Sequence, residues 1–166
     1  MANKTAKEAV SIRGVNPQFL IDKIIRTRIY DSIYWKEECF ALTAEGIVEK
    51  ATALKYLGGI YGGNVKPTPF LCLVLKMLQI QPEKEIISEF IKDKEFKYLR
   101  ALAAFYLRLV GEPVEIYDEL EPLYKDYRWE SVRHSRANVS MNLVFVGNCC
   151  SRTRWANSTS FTWMSS

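Results

Sequence analysis

Between Thr68 and Gln81 the chain reads Pro-Phe-Leu-Cys-Leu-Val-Leu-Lys-Met-Leu-Gln-Ile, a run that is apolar on nearly every side of a helix. Such a helix is stable in water only when other elements enclose it, and at about 1.5 Å per residue it is too short to cross a bilayer core of roughly 30 Å. The run therefore predicts a central buried helix and demands amphipathic helices around it. Thr68-Pro69 marks its start, with a side-chain cap followed by a proline at the first helical position, where the missing N–H costs nothing; Asn16-Pro17 repeats that signal.

The surrounding helices can be read from their apolar period. One is predicted from Pro17 to about Tyr30, with Phe19, Leu20 and Ile24 as its stripe and Ile21 and Ile25 as further candidates for it. Asp31 or Ser32 caps a second over Ile33 to Leu42, carrying Trp35, Cys39 and Phe40 or Leu42. Thr43 caps a third from Ala44 to Tyr56, with Ile47, Val48, Ala51, Leu54 and Leu57 in phase, and Gly58-Gly59 is expected to stop it at a left-handed C-cap. Gln81-Pro82 breaks the central helix. Glu83 and Glu85 begin the next, whose inner face is Ile86, Ile87, Phe90 and Ile91, and a long helix follows from about Glu95 to Val110, ended by Gly111. Pro113 and Pro122 head two short helical pieces. No stretch of residues 1 to 127 alternates with period two, and no two-residue hairpin signal is present. The fold class expected is all-α: a compact multi-helix domain with short Gly/Pro-punctuated connections and an irregular C-terminal tail. Residues 1–15 read as a flexible arm, 16–128 as a helical interaction domain and 129–166 as an aberrant or disordered tail, within which only 141–146 resembles a strand.

Composition fits one globular domain: 166 residues, 48% hydrophobic and 25% charged. A chain of this length hides roughly two-thirds of its unfolded surface and needs neither disulfides nor metal. The net charge of +4 invites a nucleic-acid reading, but its location argues otherwise. Residues 1–127 hold 18 Lys and Arg against 18 Asp and Glu, so the whole excess lies in the five arginines and single Glu130 of the tail. A neutral body lacks the broad basic surface that drives phosphate binding by counterion release. The local exception is Lys4, Lys7, Arg13, Lys23, Arg26 and Arg28. Cys39, Cys72, Cys149 and Cys150 show no metal-knuckle or redox spacing, and Cys72 lies in the apolar run as a small hydrophobe. The N-terminus has no secretory h-region, so a soluble intracellular protein is expected.

No catalytic, cofactor-binding or metal-binding residue can be assigned. The loop Gly58 to Lys66, GGIYGGNVK, resembles a phosphate loop in glycine content alone: it follows a helix and runs into Pro67 where a P-loop needs Ser or Thr. Glu37-Glu38 and Glu83/Glu85 read as solvated or dipole-stabilising acids, and the single histidine, His134, lies in the tail. The informative surplus is aromatic. Tyr30, Tyr34 and Trp35 beside Arg26 and Arg28 form one candidate partner-binding group, and Tyr61 with Asn64 and Lys66 in the glycine loop forms another, because large rigid side chains with polar tips suit interface hot spots. The alternative reading is an RNA-binding helical domain using the basic first helix and its arm.

Three segments carry a family resemblance: IIRTRIYDSIYWKEECFALTAE at 24–45, GGIYGGNVKPTPFLCLVLKMLQIQPEKEII at 58–87, and EFKYLRALAAFYLRL with EIYDELEPLYKDYR reaching Arg128. Over residues 2–128 the chain resembles the pre-mRNA-splicing factor 38 family, and the tail 129–166 does not match. The resemblance implies a nuclear, non-catalytic scaffold of the spliceosome that associates with the tri-snRNP and is needed for spliceosome activation. It implies other activation-stage and tri-snRNP proteins as partners, with RNA contact secondary, and neither a membrane nor a small-molecule substrate. After Arg128 the chain is read as departing from the pattern that the resemblance implies, in which the last helices of the domain and, in many members, an Arg/Ser-rich extension are expected.

Overall fold

The run from Pro69 to Ile80 is enclosed as its composition requires: every side chain from Phe70 to Gln79 is buried. The computed structural model describes residues 3–6, 9–62, 64–125, 129–130 and 139–140. Among these, seven α-helices succeed one another: α1 Lys23–Asp31, α2 Ile33–Glu37, α3 Ala44–Thr52, α4 Pro69–Ile80, α5 Lys84–Lys92, α6 Lys97–Val110 and α7 Pro113–Leu120. Short 3-10 turns occupy Pro17–Leu20 and Glu121–Lys125, so the fold is all-α as expected. Helix α4 packs against α1, α2, α3, α6 and the first 3-10 turn, while α5 and α7 cover α6. One core results, in which Phe70 meets Phe105 edge-on with ring centroids 5.9 Å apart.

The caps read from the sequence hold locally. Asn16 accepts from the Gln18 N–H, Ser32 from Trp35, Thr43 from Gly46 and Thr68 from Leu71. Helix α4 ends at Gln81, whose left-handed backbone (φ 50°, ψ 71°) turns the chain into Pro82. Several boundaries differ from the periodic reading. The helix expected from Pro17 divides: Ile21 is extended, and Asp22 starts α1 afresh by accepting from the Ile24 N–H at 2.8 Å. That restart shifts the helical phase, so Ile21 and Ile29 are buried while Phe19 and Ile24 face solvent. Helix α2 stops at Glu37, which leaves Trp35 and Cys39 inside and Phe40 outside.

Helix α3 ends at Thr52 rather than Tyr56, and no left-handed glycine stops it. Gly58 and Gly59 are instead buried, and their carbonyls accept from the Thr68 hydroxyl. Gly111 does end α6, but with φ −69°; a Cβ there would lie 2.7 Å from the Leu107 carbonyl, so close approach requires the glycine. An unforeseen hairpin pairs β1 Ile60–Tyr61 with β2 Lys66–Pro67, in register Ile60 with Pro67 and Tyr61 with Lys66. Its turn contains Gly62 at φ 72° and Val65 at φ 53°. Beyond α7, Trp129–Glu130 pairs with Val139–Ser140, and the strand expected at 141–146 lies outside the described residues.

Leu73→Ala or Leu75→Ala should lower unfolding stability by about 2–5 kcal/mol through lost burial and the cavity left behind. Urea denaturation at unchanged slope measures it, and a loss below about 1 kcal/mol for both would remove α4 from the core. Gly62→Val should cost about 1–2 kcal/mol by the left-handed penalty alone, since open space surrounds its Cβ position. Gly62→Asn, which tolerates that region, should lie close to wild type in thermal melts.

Candidate functional site

The first expected group is partly assembled, and around a residue the sequence reading passed over. Gln18 is only 6% exposed, which obliges each of its amide groups to find a partner. Its Oε1 accepts from the Tyr30 hydroxyl and from Gln79 Nε2 at 3.2 Å. Its Nε2 donates to Thr5 Oγ1 at 2.5 Å and to the Asn3 carbonyl at 3.4 Å. Arg26 reaches back over one turn, donating to the carbonyls of Gln18 at 3.0 Å and Ile21 at 3.3 Å, with its guanidinium 4.6 Å above the Phe19 ring. Arg26 thus clasps the 3-10 turn to α1 across the break at Ile21. Burial pushes the Tyr30 phenol up, against the opposing pull of Arg26 and Gln79.

Trp35 is 2% exposed and belongs to the core. Its ring packs on Tyr30 at 5.6 Å and 57°, and its Nε1–H donates to Asn3 Oδ1 at 3.1 Å. Tyr34 turns to another environment, beside Cys39 and Cys72, and burial raises its phenol strongly. Burial also pushes both thiols up to about 12, so they stay protonated and are poor nucleophiles or metal ligands. Ser32 Oγ lies 3.8 Å from Cys72 Sγ. Arg28 is exposed and joins none of these contacts.

The second group sits on the hairpin. Asn64 and Lys66 are exposed, Tyr61 is half-buried, and α1 packs against β2, so the two groups arise from adjacent elements. Thr68 anchors the hairpin to α4: its N–H donates to the Gly59 carbonyl at 3.0 Å. The loop thus packs on the start of α4 through Thr68.

Lys76 is the feature that the sequence reading did not single out, although it is the one charge in the run 69–80. It is 7% exposed, its ammonium lies 5.7 Å from the Trp35 ring centroid, and no carboxylate among the described residues is within ion-pair distance. Burial lowers its pKa from the ordinary lysine value. The described residues contain no cluster of three or more metal-ligating side chains, and no helix among them is long and apolar enough to cross a membrane.

Because the folded state holds Lys76 with a depressed pKa, the unfolded chain binds more protons, and stability should rise with pH from the folded value up to about 10.5. Lys76→Met should raise stability at neutral pH by about 1 kcal/mol or more and flatten that rise. Urea titrations of both proteins at several pH values check this; a destabilised Met variant would mean that the ammonium is paired.

The model of the PRP38 family matches residues 10–157, extending past Arg128 where the resemblance read from sequence words ends. Pre-mRNA-splicing factor 38A of Mus musculus is 68% identical over 146 residues, and that of Danio rerio is 62% identical over 146. Each alignment covers 88% of this chain and 46% of the relative, so the chain spans about half the length of the curated relatives it matches. A chain in the crystal structure of the Snu23-Prp38-MFAP1(217-258) complex of Chaetomium thermophilum superposes with a TM-score of 0.79 at 36% identity, covering 87% of this chain and 77% of that one.

Proposed function

The chain belongs to the PRP38 family, and on that footing we propose that it is a non-catalytic, protein-binding scaffold of the nuclear spliceosome. In this reading it associates with the tri-snRNP and serves the activation step of pre-mRNA splicing. The solved relative comes from a complex with Snu23 and MFAP1, and proteins of those two kinds are the partners proposed here.

The observation that carries the reading is where apolar surface is left uncovered. Val10, Val15, Phe19, Ile24, Ile33 and Phe40 are exposed within the first quarter of the chain, whereas the remainder of the described residues adds only Phe96, Val114 and Tyr117 to the large exposed hydrophobics. Isolated exposed apolar residues are ordinary, but such a concentration beside polar side chains is the composition of a protein-binding surface. Exposed Arg28, Asn64 and Lys66, with half-buried Tyr61, supply a polar margin on α1 and the adjoining hairpin. Arg26, Tyr30 and Trp35 act from beneath by fixing α1 and α2, and Tyr34 lies half-buried beside Cys39 and Cys72.

Ile24 and Ile33 are 69% and 71% exposed, so Ile24→Asp with Ile33→Asp should leave the melting temperature unchanged. The same pair should weaken recovery of Snu23-like and MFAP1-like proteins from nuclear extract at least about tenfold. Recovery by the unmodified chain should persist after nuclease treatment and from about 0.1 to 0.3 M salt. Loss under nuclease or moderate salt would instead favour the RNA reading through the exposed Lys4, Arg13, Lys23 and Arg28.

A further inference from the structure

Beside the Gln18 network is an open cleft of about 710 Å³ whose walls include Asn3, Lys4, Thr5, Asn16, Phe19 and Arg26. Its hydrogen-bonding capacity is lopsided. The side-chain acceptors are engaged within the fold: Asn3 Oδ1 by the Trp35 indole N–H, Thr5 Oγ1 by Gln18 Nε2, and Asn16 Oδ1 by the Gln18 N–H and the Thr5 hydroxyl. An indole N–H and a backbone N–H can only donate, so both asparagine amides are fixed with oxygen toward the fold, and their NH2 ends are left as donors. Arg26 is oriented in the same manner. Its Nη1 donates to the Gln18 and Ile21 carbonyls and its guanidinium lies over the Phe19 ring, which leaves the Nε–Nη2 edge with no acceptor among the described residues. Lys4 is exposed and pairs with no carboxylate among the described residues, and none of those lining the cleft is Asp or Glu.

We propose that this cleft binds a phosphate monoester dianion or its free equivalent, carried on a phosphorylated serine or threonine side chain or present as inorganic phosphate. The Nε–Nη2 edge of an arginine is a planar fork that matches two oxygens of one anion, and here it is held in place by the carbonyls on Nη1. Asn3, Asn16 and Lys4 bring further N–H donors from other parts of the wall. Donors that converge from several directions suit the three terminal oxygens of a tetrahedral phosphate better than the single plane of a carboxylate. The charges of Lys4 and Arg26 together match the roughly −2 of a phosphate monoester at neutral pH. Two cations at one cleft form a point site, whereas a nucleic-acid strand needs a row of them along a groove. The volume lies within the roughly 300–1,000 Å³ of small-ligand sites, so residues flanking a phosphorylated side chain have room, and Phe19, 61% exposed, offers them an apolar wall. The site does not depend on any role in the spliceosome.

The test titrates the full chain, followed by NMR, with inorganic phosphate, with an alanine-flanked phosphoserine peptide, with the same peptide unphosphorylated, and with a short oligouridine. Phosphate and phosphopeptide should shift the Arg26 Nε–H and the Asn3 and Asn16 NH2 resonances, and the unphosphorylated peptide should not. Tighter binding of the phosphopeptide would assign the site to a modified side chain, and equal binding to the free ion. Asn16→Asp keeps the oxygen that caps the 3-10 turn but replaces the NH2 donor with a second carboxylate oxygen. The melting temperature should therefore hold while phosphate and phosphopeptide affinity falls at least about tenfold. Lys4→Gln should weaken both, whereas Lys92→Gln, which removes the same charge from an exposed position on α5, should change neither. No shift with phosphate or phosphopeptide, unaltered affinity in Asn16→Asp, equal losses in Lys4→Gln and Lys92→Gln, or tighter binding of the oligouridine would overturn the proposal.

Discussion

A helix without a polar face imposes an obligation on everything around it. α4 cannot turn any side toward water, so α1, α2, α3, α6 and the first 3-10 turn are needed to cover it, and the positions of the remaining elements follow from covering those. The obligation extends to its ends, whose free backbone groups would otherwise be buried unpaired. Thr68 meets the first by accepting from Leu71 while its own hydroxyl donates into the Gly58-Gly59 turn, which ties the hairpin to the helix start. At the far end the Gln79 carbonyl accepts from the Ala6 N–H and its side-chain amide donates to Gln18, which ties the N-terminal arm and turn to the helix finish. The same helix thus fixes both regions where partner contact was expected.

The parts of this architecture that are legible in sequence are those governed by near neighbours. A side-chain oxygen placed to accept from the first turn, reinforced by a following proline at Asn16 and Thr68, specifies a helix start whatever lies across the core, which is why Asn16, Ser32, Thr43 and Thr68 cap where they were read. What could not be read is the competition between successive caps. Asp22 is a good N-cap five residues after Pro17, and once it starts its own helix the phase of every later apolar residue changes. Phe19 and Ile24 were placed inside on one continuous period, and the restart puts them outside. Glycines posed the reverse problem: Gly58 and Gly59 were read as a left-handed stop for α3, whereas they are buried with their carbonyls on the Thr68 hydroxyl, and Gly111 ends α6 as read but at φ −69°, where a Cβ would meet the Leu107 carbonyl.

The candidate site was legible as a neighbourhood more than as a list. An aromatic–basic cluster in the first two helices drew attention to Arg26, Tyr30 and Trp35, and the structure does bring these into one network. Their roles differ from the expectation because rigid, hydrogen-bonding side chains serve interiors as well as interfaces. The decisive members, Gln18 and Gln79, are 61 positions apart and carry no charge, so only the folded chain reveals that each satisfies the other. A buried amide pair of this sort adds little net stability, yet leaving one partner unmatched is costly, and this penalizes any packing of the arm and turn other than the observed one.

Lys76 poses the same question with the opposite answer. A glutamine whose donors and acceptors are all engaged restricts the fold at small cost, whereas an ammonium beside an indole ring, with no carboxylate among the described residues within ion-pair distance, loses hydration without that compensation. Its aliphatic stem is compatible with the run around it, as lysine stems commonly are with apolar surface, and so the helix tolerates it sterically. Electrostatically it opposes the enclosure on which α4 depends. The cation also lies against Trp35, the residue that joins α2 to the arm through Asn3. Water or a counter-charge reaching Lys76 would relieve that cost, and a packing that loosens around Trp35 gains by it. The element most responsible for holding the fold closed therefore carries a buried charge that works against its own enclosure.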